Sequence, residues 1–213
     1  MAQSSRHTPH MHASAPAIVC ASRAHGETGA VVRLLTAEHG LVAAFVAGAR
    51  GRQLRPVLIP GNAVAVELLA RPGSQMPSAR LELVRSCGPW LGEPLAAAAL
   101  TWATALTAAA LPERHAYPPL HAALSGLIDA VCAAPSARGW MPALLGYETL
   151  LLRELGYGEG ETRADGDDWP GLIARFDLLG KALARYPLAE RRSDVMAARA
   201  MLRDRLVKIE GQF

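Results

Sequence analysis

Short β-type runs separated by turn signals fill the first third of the sequence, and they constrain its fold more than any other feature. The runs cover residues 17–22, 30–36, 41–47, 63–70 and 79–85. Between them lie HGE at 25–27, EHG at 38–40, a long connection at 48–62 and RPGS at 71–74. Glycine and proline residues between apolar runs are typical of the turns that end strands. Five short strands in about seventy residues favour a compact barrel of the oligonucleotide-binding (OB) type over a sandwich.

The sequence after Ser86 has helical patterns instead. Helices are predicted at 94–111, 120–133 and 141–155, and two amphipathic stripes at 172–186 and 195–209 predict two more. The predicted class is α+β, with a disordered leader at 1–14, a five-stranded OB-type β-barrel at 15–86 and an all-helical C-terminal domain at 87–213. The first helix is mostly Ala and Thr, so no membrane contact is expected.

The basic residues are concentrated in the barrel region. Residues 13–86 contain eight arginines and four glutamates, whereas residues 87–213 contain 13 basic and 15 acidic residues. This asymmetry predicts a polyanionic partner for the N-terminal part and a different role for the remainder.

Neither a disulfide framework nor a metal site is expected. The cysteines are Cys20, Cys87 and Cys132, which are widely spaced and follow no secretory signal, so the protein is predicted to be cytoplasmic. The leader contains His7, His10 and His12, but a disordered start has nothing to orient metal ligands, and Met11 is an alternative translation start. The acidic stretch at 158–168 lacks EF-hand spacing and is predicted to be a surface loop.

The candidate binding residues are arginines of the barrel region. Arg50, Arg52 and Arg55 lie in a connection that Gly and Pro residues punctuate. Guanidinium groups stay charged and bridge phosphate oxygens, so these three predict contact with a nucleic-acid backbone, although a solvated arginine-rich loop has the same composition. Arg23 and Arg33 lie on or beside strands, and side-chain alternation decides whether either extends the basic surface.

The barrel region contains a single aromatic residue, Phe45, inside the apolar run at 41–47. We expect Phe45 to belong to the core and not to be a platform for nucleic-acid bases. DNA binding is then mainly electrostatic, weakly sequence-specific and steeply dependent on salt.

No catalytic arrangement is recognisable. His25, Glu27 and His39 lie near turns without a partnered nucleophile, and HGE at 25–27 is better interpreted as a turn in which Gly26 is left-handed. A phosphate-binding Gly-rich loop is also missing from the sequence, so we predict neither an enzyme nor a cofactor. A helical stripe of Arg192, Arg199 and Arg203 is interpreted as a solvated face, with a second DNA surface or a dock for an acidic tail as alternatives.

Three stretches, read in order, resemble the RecO family of DNA repair and recombination mediators. They are AIVCASRAHGE at 17–27 with LLTAEHG at 34–40, GARGR at 48–52 before the turn at 60–61, and Glu148 followed by LLRELGYG at 151–158. The resemblance implies an OB-fold, a helical C-terminal domain, and binding and annealing of single-stranded DNA. It also implies work with RecR and single-stranded-DNA-binding protein to load a recombinase, close to the nucleoid and with double-stranded DNA as a further ligand.

The sequence departs from the family pattern in two places. Many members have four zinc-binding cysteines after the LGYG motif, whereas residues 159–169 contain none, so zinc is not carried over. Some members have basic residues where this chain has Leu145 and Gly146, which weakens any copied docking site for the tail of single-stranded-DNA-binding protein.

Two functions from different classes remain after this reasoning. The leading hypothesis is a module that binds single-stranded DNA, and the alternative is an adaptor whose barrel contacts protein and not DNA. Arginines clustered on one part of the barrel favour DNA, whereas scattered arginines favour the adaptor.

Overall fold

The computed structural model describes residues 14–69, 73, 75–158, 168–189 and 192–210. Within these ranges five strands precede a short 3-10 helix (Gly88–Gly92) and five α-helices. The strands are β1 (Ser14–His25), β2 (Gly29–Thr36), β3 (Gly40–Val46), β4 (Ala63–Leu69) and β5 (Ser78–Arg85). The α-helices are α1 (Pro94–Ala110), α2 (Pro118–Ala133), α3 (Ala137–Glu154), α4 (Trp169–Arg185) and α5 (Arg192–Glu210). The predicted α+β class, with an OB-type barrel before helices, is confirmed.

The sheet closes into a barrel in the order β1-β2-β3-β5-β4. The long strand β1 pairs antiparallel with both β2 and β4, and closure is completed where β3 and β5 meet in parallel at Phe45 and Ser78. A register shift between Val19 and Ala21 makes Cys20 the extra residue of a bulge. A bulge bends its strand, which helps β1 to pair with both β2 and β4. The extra residue also inverts which side chains of β1 point into the barrel and which point outward beyond Cys20.

Two cores meet at one side of the barrel. The barrel interior is filled by alternate apolar side chains, among them Val32, Leu34, Ala44, Val46, Val64 and Val66. On the outer face, Ile18 and Cys20 of β1, Leu35 of β2 and Leu41 of β3 belong instead to the core of the helices. The helical part therefore packs against one end of the outer surface of β1 to β3.

The helix ends follow local sequence signals. Prolines occupy the first turns of α1, α2 and α4, and the Asp168 side chain accepts a hydrogen bond from the Gly171 amide at 3.0 Å. Gly156 ends α3 with φ of +83°, as predicted. The third helix was predicted to begin at about Met141, but α3 begins earlier, at Ala137, and contains Pro142 in its interior.

The interpretation of Arg199 as part of a solvated stripe was wrong. Its side chain is 5% exposed, and Nη2 donates to Oε2 of Glu148 at 2.8 Å and to the Phe176 carbonyl at 2.6 Å. Arg203 remains at the surface but is paired with Asp177, while the side chain of Arg192 lies outside the described residues. The stripe is thus mostly engaged with the protein itself.

Among the helices of the described ranges, none combines the length and the apolar character that crossing a membrane requires. The leader histidines and residues 159–167 of the acidic stretch lie outside the described residues, so the predictions about them stay predictions.

Candidate nucleic-acid interface

The connection between β3 and β4 is an ordered segment that covers one mouth of the barrel. Ala49, Val57 and Leu58 from this connection are buried in the barrel core. Backbone hydrogen bonds run from the Gly51 amide to the Gly48 carbonyl (2.9 Å) and from the Arg55 amide to the Gly51 carbonyl (3.0 Å). The arginines of the connection therefore project from a folded scaffold.

Asn62 fixes the far end of this connection, and the sequence reasoning missed it. It is fully buried; its Nδ2 donates to the carbonyls of Pro56 (2.8 Å) and Val57 (3.0 Å), and its Oδ1 accepts from the Cys87 amide at 2.8 Å. One side chain thus joins the connection to the start of the helical part. A lone Asn directly after the PG turn at 60–61 was the available signal, because Asn pairs readily with nearby backbone.

Arg50 and Arg55 line the same cleft at the barrel mouth. The cleft has a volume of about 420 Å³, and its other walls are formed by Ser22, Ala24, Ala30, Ala49 and Leu58. Nη1 of Arg50 donates to the Glu27 carbonyl at 3.0 Å, and the Arg50 amide donates to the Thr28 carbonyl at 3.2 Å. These bonds fasten the connection to the β1–β2 turn, where Gly26 has φ of +66°, as predicted.

The five candidate arginines occupy three places. Arg50, Arg52 and Arg55 are exposed on the one connection. Arg23 is exposed on β1 and pairs in register with Val31, which places it on the outer face of the barrel. Arg33 lies on the same outer face but contacts protein: its guanidinium donates to the Ala108 carbonyl and to Glu113 Oε1 (3.0 Å), so it joins the barrel to the helical part.

Phe45 is not a core residue, which corrects the expectation from sequence. It is only partly buried and lies on the outer face of β3, between the inward-facing Ala44 and Val46. Its ring meets the His25 ring edge-on, with 6.0 Å between the centroids and 78° between the planes. A partly exposed aromatic ring therefore lies on the same face of the barrel as Arg23.

The three cysteines are free thiols, and Cys20 and Cys87 are buried. Burial raises the pKa of Cys20 and of Cys87 to about 12, so both thiols are protonated at neutral pH. Cys87 and Cys132 lie with their Sγ atoms 4.0 Å apart as free thiols. In the described part of the chain, no three His, Cys, Asp or Glu side chains are grouped so that they could hold a metal ion.

Two family models match this chain in succession. The model described as recombination protein O N terminal matches residues 11–87, which include the barrel. The model described as recombination protein O C terminal matches residues 91–159, which include α1 to α3.

Several similar proteins carry the name DNA repair protein RecO. The protein of Caulobacter vibrioides (strain NA1000 / CB15N) is 46% identical over 144 residues, which are 67% of this chain and 58% of the relative. That of Phenylobacterium zucineum (strain HLK1) is 43% identical over 144 residues, with the same coverages of 67% and 58%. That of Gluconacetobacter diazotrophicus is 36% identical over 151 residues, which are 70% of this chain and 59% of the relative. The matches thus span less than two thirds of each relative.

Proposed function

This chain belongs to the recombination protein O family, and on that premise we propose that it acts in DNA repair and recombination by binding single-stranded DNA. The observation that carries the proposal is the shared cleft of Arg50 and Arg55, with Arg52 on the same connection. Guanidinium groups on a folded scaffold bind phosphates with little loss of conformational freedom.

The proposed mechanism is electrostatic and involves no covalent step. Phosphates of the strand lie along Arg50, Arg52 and Arg55, and their counterions are released. A strand whose charge is partly neutralised repels a second strand less, so complementary strands anneal more readily on this surface. Double-stranded DNA carries the same phosphates and is a further ligand in this proposal.

The finer part of the proposal concerns protein partners. We propose that the chain works with RecR and with single-stranded-DNA-binding protein to load a recombinase, at the nucleoid in the cytoplasm. The division of labour follows the two parts of the chain: residues 15–86 bind DNA, and residues 87–213 brace the barrel and dock proteins. The surplus of acidic over basic residues in the second part works against an independent DNA footprint there.

A groove in the helical part supports the docking role. It has a volume of about 670 Å³ and lies among the starts of α1 and α3 and the end of α5. Trp90, Trp140 and Ile209 supply apolar walls, while Arg205 and Lys208 give the groove a basic side that outweighs its single acidic lining residue, Glu93. Such a groove fits an acidic peptide with apolar side chains, and we assign it to the tail of single-stranded-DNA-binding protein.

The alternative function, an adaptor whose barrel contacts protein only, gives a different result in one assay. Equilibrium binding of a labelled single-stranded oligonucleotide to the full chain is measured across a salt series. The proposed function predicts that the logarithm of the binding constant falls linearly with the logarithm of salt concentration. If no binding is detected even at low salt, the adaptor is the better description.

A further inference from the structure

The outer surface of β1 to β3 contains an aromatic ring that the proposed electrostatic mechanism does not use. The Phe45 ring lies over Gly29 of β2, where an added Cβ would be 2.5 Å from Cε2 of the ring. With the ring in this position, residue 29 has no room for a side chain. The Phe45 ring thus packs against Gly29 and lies edge-on to the His25 ring, and the Phe45 side chain is only partly buried.

The neighbours of Phe45 form one row across three strands. Arg23 pairs with Val31 and Val31 pairs with Phe45, so the three side chains share the outer face of the sheet. The next outward row along the strands includes Arg33, which contacts the helical part. The row of Arg23, Val31 and Phe45, with His25 beside it, therefore lies at the end of the face that the helices leave open; we call it the Phe45 surface.

The Phe45 surface and the arginine connection flank the same turn. His25 and Gly29 are the last pair of β1 and β2, and the residues between them accept both hydrogen bonds from Arg50. Single-stranded DNA that is bound to Arg50 at the barrel mouth needs only to cross the β1–β2 turn to reach the Phe45 ring. The face formed by strands 2 and 3 is also the surface on which OB-type barrels bind oligonucleotides in general.

We propose that Phe45 is a stacking platform for one unpaired base of single-stranded DNA, with Arg23 on a neighbouring phosphate. This proposal rests on the proposed function. It identifies Phe45 as the residue that favours single-stranded over double-stranded DNA. A π face accepts any base, which gives affinity without sequence preference. Bases in a duplex are already stacked and paired, so the ring favours an unpaired strand over a double one.

The test compares two probes of equal length, oligo(dT) and an abasic oligonucleotide that has the phosphates without the bases. The wild-type chain should bind oligo(dT) about fivefold to tenfold more tightly than the abasic probe at the same salt. Phe45→Leu should remove that preference, leave abasic binding unchanged and leave the salt slope unchanged. Phe45→Tyr should keep the preference, because its ring also stacks.

A matched control truncates another exposed apolar side chain on the barrel: Val84 of β5 is 68% exposed, and Val84→Ala should behave as wild type. Equal wild-type affinity for the two probes overturns the proposal even if Phe45→Leu fails to fold. An unchanged preference in folded Phe45→Leu overturns it as well. Wild-type chain that binds neither probe contradicts the proposed function, whereas salt-dependent binding without any base preference contradicts the stacking alone.

Discussion

Arg199 of α5 donates a hydrogen bond to Glu148 of α3, with 2.8 Å between Nη2 and Oε2, and both side chains are almost completely buried. Trp102 Nε1 of α1 donates to the other carboxylate oxygen at 2.6 Å, and the guanidinium lies 3.6 Å from the centroid of the Phe176 ring of α4. Burial raises the pKa of Glu148, and the Arg199 guanidinium opposes that rise. One ion pair thus connects four helices.

The first prediction concerns this ion pair. Glu148→Leu alone should lower the free energy of unfolding by about 3–5 kcal/mol, because the Arg199 charge stays buried without its partner. Arg199→Met alone should have a similar effect. The double variant should lose clearly less than the sum of the two, as measured by urea denaturation. Additive losses would show that the two side chains are not coupled.

The second prediction concerns pH and the surface pair of Arg203 and Asp177. Hydrogen bonds from Arg203 hold the pKa of Asp177 below its ordinary value. The stability that wild type has over Arg203→Gln should therefore be present at neutral pH and be lost as pH falls through the folded-state pKa of Asp177. Carboxyl NMR titration should show a higher Asp177 pKa in Arg203→Gln. An identical titration in both proteins would count against the pair.

The third prediction tests Asn62 as the residue that positions the arginine connection. Asn62→Ala removes three hydrogen bonds and leaves the buried Cys87 amide unpaired, so it should destabilise the protein by about 2–3 kcal/mol. DNA affinity should fall while the salt slope stays the same, because the three charges remain. Gln53→Ala, on the exposed surface of the same connection, is the control and should change neither quantity.

The fourth prediction tests the groove in the helical part. Lys208→Glu reverses a charge on its basic side and should weaken binding of the tail peptide of single-stranded-DNA-binding protein about tenfold. Lys181→Glu, an exposed lysine of α4 that does not line the groove, is the matched control. DNA binding by both variants should match wild type. Equal peptide affinity in the two variants would contradict the assignment of the groove as the docking site of the tail.

The sequence predicted the elements well because their periodicities are local. Short β-type runs and the turn signals between them located all five predicted strands, and prolines and Gly156 located helix ends to within a few residues. Side-chain direction was harder to predict. The bulge at Cys20 inverts the alternation of β1, and this inversion puts Arg23 on the outer face. Nothing in the local sequence marks that single extra residue.

Two further differences have their cause in tertiary packing. Every residue of the run around Phe45 is apolar, so its pattern does not tell which part of the outer face the helices cover. Arg199 is different, because a signal was present: it fits the 4-3-4-3 spacing of Val195, Leu202, Leu206 and Ile209. A charge on an apolar stripe, with Glu148 on another, indicates a buried ion pair that joins two helices.

The most direct test of the account is the salt dependence of single-stranded DNA binding by the Arg50→Ala/Arg52→Ala/Arg55→Ala variant. If the three arginines contact phosphates, the log–log slope should be flatter than wild type by about two units, or about 0.7 for each contact. The control variant Arg80→Ala/Arg153→Ala/Arg185→Ala removes the same charge from exposed positions elsewhere and should keep the wild-type slope. An unchanged slope in the folded first variant, or an equal flattening in both, would contradict the assignment of the DNA site to the barrel mouth.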